Sequence, residues 1–461
     1  MKRLSSTAGS LAASLFVAAA AKADVTISTH ATSHMSCVGI VCTPTAAKAV
    51  LNVGQLQTML ASGNVTVKAT AAAPNIRIAA PLSWSSLNNL GLDAYDGVYV
   101  TRPVSITSGG GLVIVTNDGG SHSASFVISA AGNVHFWDLN GALSINGHNY
   151  ALVNDITTLA ASISMASSGN FALAADYNAG PDGEYALSPI PAFSGHFEGL
   201  GHTISNVTIR GANKAMGLFL DNSGEIENFN IRSMNIHSTG SRGSAGGIAA
   251  INDGTLRNVH VLSGKISATA TDALGGGLAG LNNGLITASS SNNLPQNGTG
   301  CIGGLVGRNT GTIDDAWAAG KAFAKQAGGI ACANSGTITN VYSLVFVGGR
   351  FATPYPGGLV GDGQAGGSIQ TSYAAGQITA ASNFGGVAGS NASSMSNVYW
   401  DIDYTGASPT FGCGSGNCTG ATGLTHEEML AALPTGFDPS VWAQNPDING
   451  GWPYLIDNPP R

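Results

Sequence analysis

Gly303-Gly304-Leu305-Val306-Gly307-Arg308-Asn309, running on through Thr310-Gly311-Thr312-Ile313, is one of seven variations on a single pattern. Close copies read Gly246-Gly247-Ile-Ala-Ala-Ile-Asn252, Gly276-Gly277-Leu-Ala-Gly-Leu-Asn282 and Gly328-Gly329-Ile-Ala-Cys-Ala-Asn334, with weaker ones at Gly217, Gly358 and Gly386. The second glycines recur about every 28 residues. Periods of roughly 20–50 residues belong to solenoids, propellers and arrays, in which a single unit cannot bury its own apolar face. Five residues after the second glycine stands Asn222, Asn252, Asn282, Asn309, Asn334 or Asn391; four residues later stands Ile226, Leu256, Ile286, Ile313, Ile338 or Met395. The sixth copy has Gly363 in the Asn position.

Helical repeats are disfavoured, since each unit carries several glycines and each costs about 1 kcal/mol in a helix interior. The segments between Asn-x-Gly corners have the length of strands, and the corners supply left-handed backbone angles. The reading is an all-β chain wound as a parallel β-solenoid of about three short strands per coil. Coils stack about 4.8 Å apart, so residues at one offset pile vertically. The six Asn residues are expected to form a ladder of side-chain amides and the Ile/Leu row an internal stack, a structural role for both. Paired glycines suit a tight corner or a close sheet approach.

The ends differ from the middle. Met1-Lys2-Arg3, an apolar stretch from Leu11 to Ala21, and Ala21-Lys22-Ala23 before Asp24 read as a secretory signal peptide over 1–23. The apolar run is shorter than a membrane span, and no later segment is an uninterrupted span of about 20 apolar residues. Residues 24–150 alternate without a clear period, as in Asn75-Ile-Arg-Ile and Gly111-Leu-Val-Ile-Val, and suggest irregular coils. The segment 151–215 reads as a polar connector and entry to the repeats, 216–400 as the repeats, and 401–461 as a terminal cap covering the open solenoid edge. Short helices are expected over Val53–Gly63, near Asp155–Ala166 and over Thr425–Leu433.

Only 9% of residues are charged and 65 are Gly, so the fold must rest on backbone ladders and small apolar side chains. A net charge of −7 provides no basic footprint for nucleic acid. Cys37 with Cys42, and Cys413 with Cys418, share a short spacing that suits disulfides in an oxidising compartment. Cys301 and Cys332 sit at different offsets from their glycine pairs, and the sequence leaves their pairing open.

No catalytic, cofactor or metal constellation stands out. A glycosidase needs two carboxylates across a groove; the candidates are Glu225/Glu227, Asp314/Asp315 and Asp401/Asp403, and a solvated strand face explains them as well. Asp401-Ile-Asp-Tyr-Thr-Gly406 lacks the further ligands of a calcium loop. His196 and His202 have no Ser or Cys nucleophile in an elbow beside them, and the glycine runs lack the Lys-Ser/Thr of a phosphate cradle. Trp317, Tyr342, Tyr355, Tyr373, Tyr399 and Trp400 fall late in the repeats: they form either an outward stacking surface for a ligand or staples within core and cap.

The repeat Gly-Gly-Leu-Val-Gly-x-Asn-x-Gly-x-Ile resembles the GLUG motif of large bacterial surface proteins. Ala80-Pro-Leu-Ser-Trp-Ser-Ser86, Leu92-Asp-Ala-Tyr-Asp-Gly-Val-Tyr-Val100, Ile145-Asn-Gly-His-Asn-Tyr-Ala-Leu-Val-Asn-Asp-Ile156, Asn397-Val-Tyr-Trp-Asp-Ile-Asp403 and Gly436-Phe-Asp-Pro-Ser-Val-Trp-Ala-Gln-Asn-Pro446 are similar to the distal part of filamentous-haemagglutinin-like adhesins. The resemblance spans nearly the whole mature chain. It implies a right-handed β-helix exported from a Gram-negative cell, secreted or held at the surface, with a surface glycan or protein as ligand and an outer-membrane transporter as partner. It brings no catalytic residues. The large amino-terminal secretion domain of such proteins and a carboxy-terminal barrel are both missing from the pattern, which keeps a periplasmic location open. The competing expectation is a glycan-cleaving β-helix enzyme, a lyase or hydrolase.

Overall fold

The computed structural model describes residues 24–120, 126–270, 272–296, 300–349, 355–379 and 384–461; the signal-peptide reading over 1–23 lies outside them. About half the chain is strand, and it winds into a parallel β-solenoid of about 14 turns.

The winding has two parts. In the first, coils of three strands stack in register: Asn75–Ile78, Leu82–Trp84 and Asn89–Asp93 lie under Val98–Val100, Val104–Ile106 and Gly111–Val115. Alternation fills the interior with Ile76, Ile78, Leu90, Leu92, Val98, Val100 and Ile114. The amino-terminal edge is closed by a hairpin, Met35–Val38 against Val41–Pro44, with a Cys37–Cys42 disulfide. The helix Val53–Ser62 follows; Asn52 caps its first turn by accepting from the Gln55 N–H, and Leu56 and Leu60, one turn apart, are buried.

At Asn146-Gly147, both with positive φ, the chain reverses. Leu143–Ile145 pairs antiparallel with His148–Val153, and parallel winding resumes with Asn170–Leu173, His196–Glu198 and Glu225–Arg232. The segment 151–215, read as a connector, is therefore already wound into the second solenoid. Its polar composition concealed this because the strands are only two to four residues long and separated by loops. Here too a helix, Ile156–Met165, is capped by Asp155 and buries Ile156, Leu159 and Ile163.

Within the repeats the vertical register follows the periodic offsets. Asn222, Asn252, Asn282, Asn309 and Asn334 stack and are fully buried. Each amide donates to the next Oδ1, at 2.8, 2.7, 2.8 and 2.8 Å in turn. The same nitrogens also reach the carbonyl oxygens of Gly224, Gly254, Gly284 and Gly311. At Gly363 the ladder stops; Asn391 lies beyond it and satisfies its Oδ1 from Ser393. Behind the ladder, Ile226, Leu256, Ile286, Ile313, Ile338, Ile369 and Met395 form the internal row. The paired glycines stand where two faces meet: a Cβ on Gly276 would overlap the Ala279 carbonyl oxygen and the Cα of Val306. A Cys301–Cys332 disulfide ties neighbouring coils, resolving the pairing left open by spacing, and Cys413–Cys418 closes the last one.

Replacing Asn282 by Ala strands the Oδ1 of Asn309 and removes the acceptor of Asn252 in a dry interior. Each buried group left unpaired costs about 1–3 kcal/mol, so Asn282→Ala is expected to lower stability by about 2–4 kcal/mol in denaturant unfolding. Asn283→Ala, one residue on, loses only exposed bonds to Asp253 and Thr310 and is expected to cost about 1 kcal/mol or less; equal losses for both would remove the ladder from the energetics.

Candidate functional site

A second vertical column, six residues after each ladder Asn, escaped the sequence reading. Asn228, Asn258, Ala288, Asp315, Asn340 and Asn397 all have φ between 48° and 53°. In the coil that carries Gly363, Thr371 takes the role with φ 46°. This is the left-handed region, where Asn and Asp are enriched. The recurring Asn-Phe or Asn-Val after a core residue, as in Glu227-Asn228-Phe229 and Thr339-Asn340-Val341, was the available signal. Each such residue bends its strand, and the side chain two positions on lies outside the core.

Those outward positions are Asn230, His260, Ser290, Trp317, Tyr342, Tyr373 and Tyr399, stacked in register. Trp317 and Tyr342 lie 5.8 Å apart with 9° between planes, Tyr342 and Tyr373 5.4 Å apart with 6°. They are nevertheless buried, because residues 425–461 run back along this flank. Met429, Phe437, Trp442 and Leu455 cover the rings, the Tyr373 hydroxyl donates to the Pro453 carbonyl at 2.6 Å, and that of Tyr399 to Thr435 at 2.9 Å. Gly436, at φ 85°, is pressed against the Asn397 amide, where a side chain would collide. Trp400 points the other way, into the core, and donates to Ala407. The carboxy-terminal region thus differs from the expected edge cap: Cys413–Gly416 and Ala421–Leu424 extend the last coil, while the remainder is a strap along the side.

Beyond Trp317 the strap crosses small polar residues and its contacts become hydrogen bonds. Asn458 donates to the carbonyls of Ser289 and Asp315 at 3.0 and 2.7 Å, and Arg461 to the Oδ1 atoms of Asn230 and Asn258 at 3.3 and 3.0 Å. His260, buried and held neutral, bonds Asn258 and Ser290. The first solenoid docks on the same column: Asn228 accepts from the Ile128 N–H and donates to Phe126, and Asn258 donates to the Ile128 carbonyl.

Between the first solenoid, the left-handed column and the strap lies a cleft of about 550 Å³. Arg77, Asp96 and Tyr99 face it from one side, Arg257 and Asp315 from another, and Asp457 and Arg461 from the strap. The Arg77 guanidinium lies 4.9 Å from the centre of the Tyr99 ring and 3.2 Å from the Asp24 carboxylate. Arg257 pairs with Glu227 at 2.9 Å. Burial, then the Asp457 and Asp314 charges, push the Asp315 carboxyl up to about 8. Burial and the charges of Asp96 and Asp457 raise the Tyr99 hydroxyl as well. The cleft therefore holds a proton-bearing carboxyl, ionisable carboxylates and guanidinium donors in one space.

Of the carboxylates singled out from sequence, only Asp315 lines this cleft. Glu225 pairs with His196 at 3.0 Å and Glu227 with Arg257, while Asp314 accepts from Asn340 at 3.1 Å. His202 is buried between Asp176 and the Val134 carbonyl. Asp401 is a cap: it receives the N–H groups of Asp403 and Tyr404, the His426 ring and the Trp452 indole, and Gly406 ends the single turn Ile402–Thr405 in the left-handed region. Among the described residues, no three His, Cys, Asp or Glu are gathered to hold a metal, and no helix is long and apolar enough to cross a membrane.

No family model matches the chain, and no curated protein matches it. Among solved structures, the chain is similar to one titled a putative immunoglobulin A1 protease from Bacteroides ovatus, 18% identical, with a TM-score of 0.47 over 67% of this chain and 93% of that one. A likeness of that strength says nothing of activity.

Two measurements follow. Tyr373→Phe removes the hydroxyl's bonds to the Pro453 carbonyl and from the Asn449 amide, which still bond each other at 3.0 Å; it is expected to weaken strap docking by about 0.5–1.5 kcal/mol and to accelerate limited proteolysis between 425 and 461, and an unchanged rate would mean the hydroxyl is dispensable. Asp315 titrates at about 8 in the fold and 3.8 ordinarily, so between those values the native state binds more protons than the unfolded one. Its contribution is complete at the acidic end and is lost as pH rises through about 8. Asp315→Asn should flatten the fall in melting temperature across that window; superimposable pH profiles would refute the shift.

Proposed function

We propose that this chain is an exported β-solenoid that attaches by non-catalytic binding, in the manner of an adhesin. The observation carrying this reading is the fate of the carboxylates: Glu225, Glu227, Asp314 and Asp401 are tied into ion pairs, amide contacts and a cap. An enzyme needs such groups free to meet a substrate. Support for export comes from the cysteines, all six of which are paired, as suits an oxidising compartment. A rod whose coils are locked together by register presents fixed side surfaces without further ordering cost, which favours binding. The ligand in this reading is a surface glycan or protein, and a membrane transporter is the partner for export.

A second reading, glycan cleavage, draws on Asp315. A carboxyl raised by burial that shares a cleft with a second carboxyl is the arrangement of a general acid beside a base or nucleophile, and Asp315 shares its cleft with Asp457.

Cells that produce the protein are expected to attach several-fold better to at least one of an abiotic surface, extracellular matrix and host epithelium than cells lacking it. Equal attachment on all three would end the adhesion reading. Incubation with oligosaccharides should release no reducing ends; release that disappears in both Asp315→Ala and Asp457→Ala would establish the enzyme instead.

A further inference from the structure

We propose that the cleft between the two solenoids and the strap binds a short segment of uncharged glycan, and that attachment is made there rather than along the repetitive sides. The inference rests on the adhesion reading and locates it.

Size and construction come first. At about 550 Å³ the cleft lies within the range of ligand sites, roughly 300–1,000 Å³. Its walls belong to three separate parts of the chain, each held by hydrogen bonds already described: the Phe126–Ile128 strand on Asn228 and Asn258, and the strap end on Ser289, Asp315, Asn230 and Asn258. A ligand entering it meets groups that are already in place, so little ordering cost opposes binding.

Charge then selects the class of ligand. Arg77 and Arg257 are neutralised by Asp24 and Glu227, and Asp315 keeps its proton near neutral pH. The remaining field comes from Asp96 and Asp457 against Arg461, which gives a polyanion no net attraction and leaves acidic sugars facing two carboxylates. What remains is a dense mixture of donors and acceptors: guanidinium N–H groups, carboxylate oxygens, the Asp315 hydroxyl, and the side chains of Thr101 and Thr287. A sugar hydroxyl donates and accepts at once, and can use both kinds. Tyr99, braced by the Arg77 guanidinium at 4.9 Å, and the apolar Ile456 and Pro459 provide surface for the C–H faces of pyranose rings.

The test uses the purified full chain and short cello-, xylo-, manno- and malto-oligosaccharides, with oligogalacturonate as the acidic comparison, read by saturation-transfer NMR and calorimetry. At least one uncharged series is expected to bind saturably and more tightly than oligogalacturonate. Tyr99→Ala and Asp457→Asn should each weaken it at least tenfold with the melting temperature unchanged. Trp137→Ala should bind as wild type does, since Trp137 is 68% exposed but lies outside the cleft. Binding that is undiminished in both cleft variants, preference for the acidic oligomer, or no binding to any uncharged series would each overturn the proposal. Cell attachment measured with the same variants separates the two readings: attachment that persists without glycan binding removes the cleft and leaves adhesion standing. Glycan binding without any gain in attachment leaves the site standing and removes adhesion.

Discussion

Everything in this molecule depends on vertical register. Strands of adjacent coils share their backbone hydrogen bonds, and a slip by one residue would exchange the inner and outer side chains of a whole face. The buried amide ladder from Asn222 to Asn334 opposes such a slip. An Asn displaced from its column would break the amide–amide bonds to the coils below and above it and leave an Oδ1 unpaired in the buried interior. The gap at Gly363 shows how local the device is, since backbone pairing carries the register across it and Asn391 satisfies its own oxygen from Ser393.

Register also builds the surface. Because each coil bends at one left-handed residue, the positions two residues later stack into an outward column whose chemistry changes along the rod, from Asn230 and His260 to Trp317, Tyr342 and Tyr373. The aromatic portion is covered by apolar residues of the strap. The polar portion is met by Asn458, Arg461 and the edge of the first solenoid. The cleft is the space left where these three contacts come together. A few residues at each contact fix its walls, and its mixed charge follows from which of its side chains are already paired, Arg77 with Asp24 and Arg257 with Glu227.

The sequence showed much of the solenoid and little of the site. Offsets repeated over about 28 residues announced the Asn and Ile columns, because every copy faces the same steric and polar demands. The short helix expected from Thr425 is there as His426–Ala431, and the structure adds that Thr425 and Glu428 close a capping box at its start. The left-handed column was harder to see, since Ala288, Asp315 and Thr371 break its Asn pattern. The carboxylates illustrate the limit best. Alternation along a strand puts Glu225 and Glu227 on one face, but whether a carboxylate is free depends on His196 and Arg257, residues brought alongside by the coils below and above.

Composition and periodicity alone therefore determined that this chain winds rather than packs as layers, which residues point inward, and where the Asn ladder runs. These properties are local or repeat at short range, and a linear pattern records them. Only the tertiary structure decided that 151–215 belongs to the second solenoid, that 425–461 straps the side, that Cys301 reaches Cys332, and that Asp315 and Asp457 line one cleft. Each joins residues whose separation along the chain obeys no period, and is set by the fit of two surfaces that exist only once the coils have stacked.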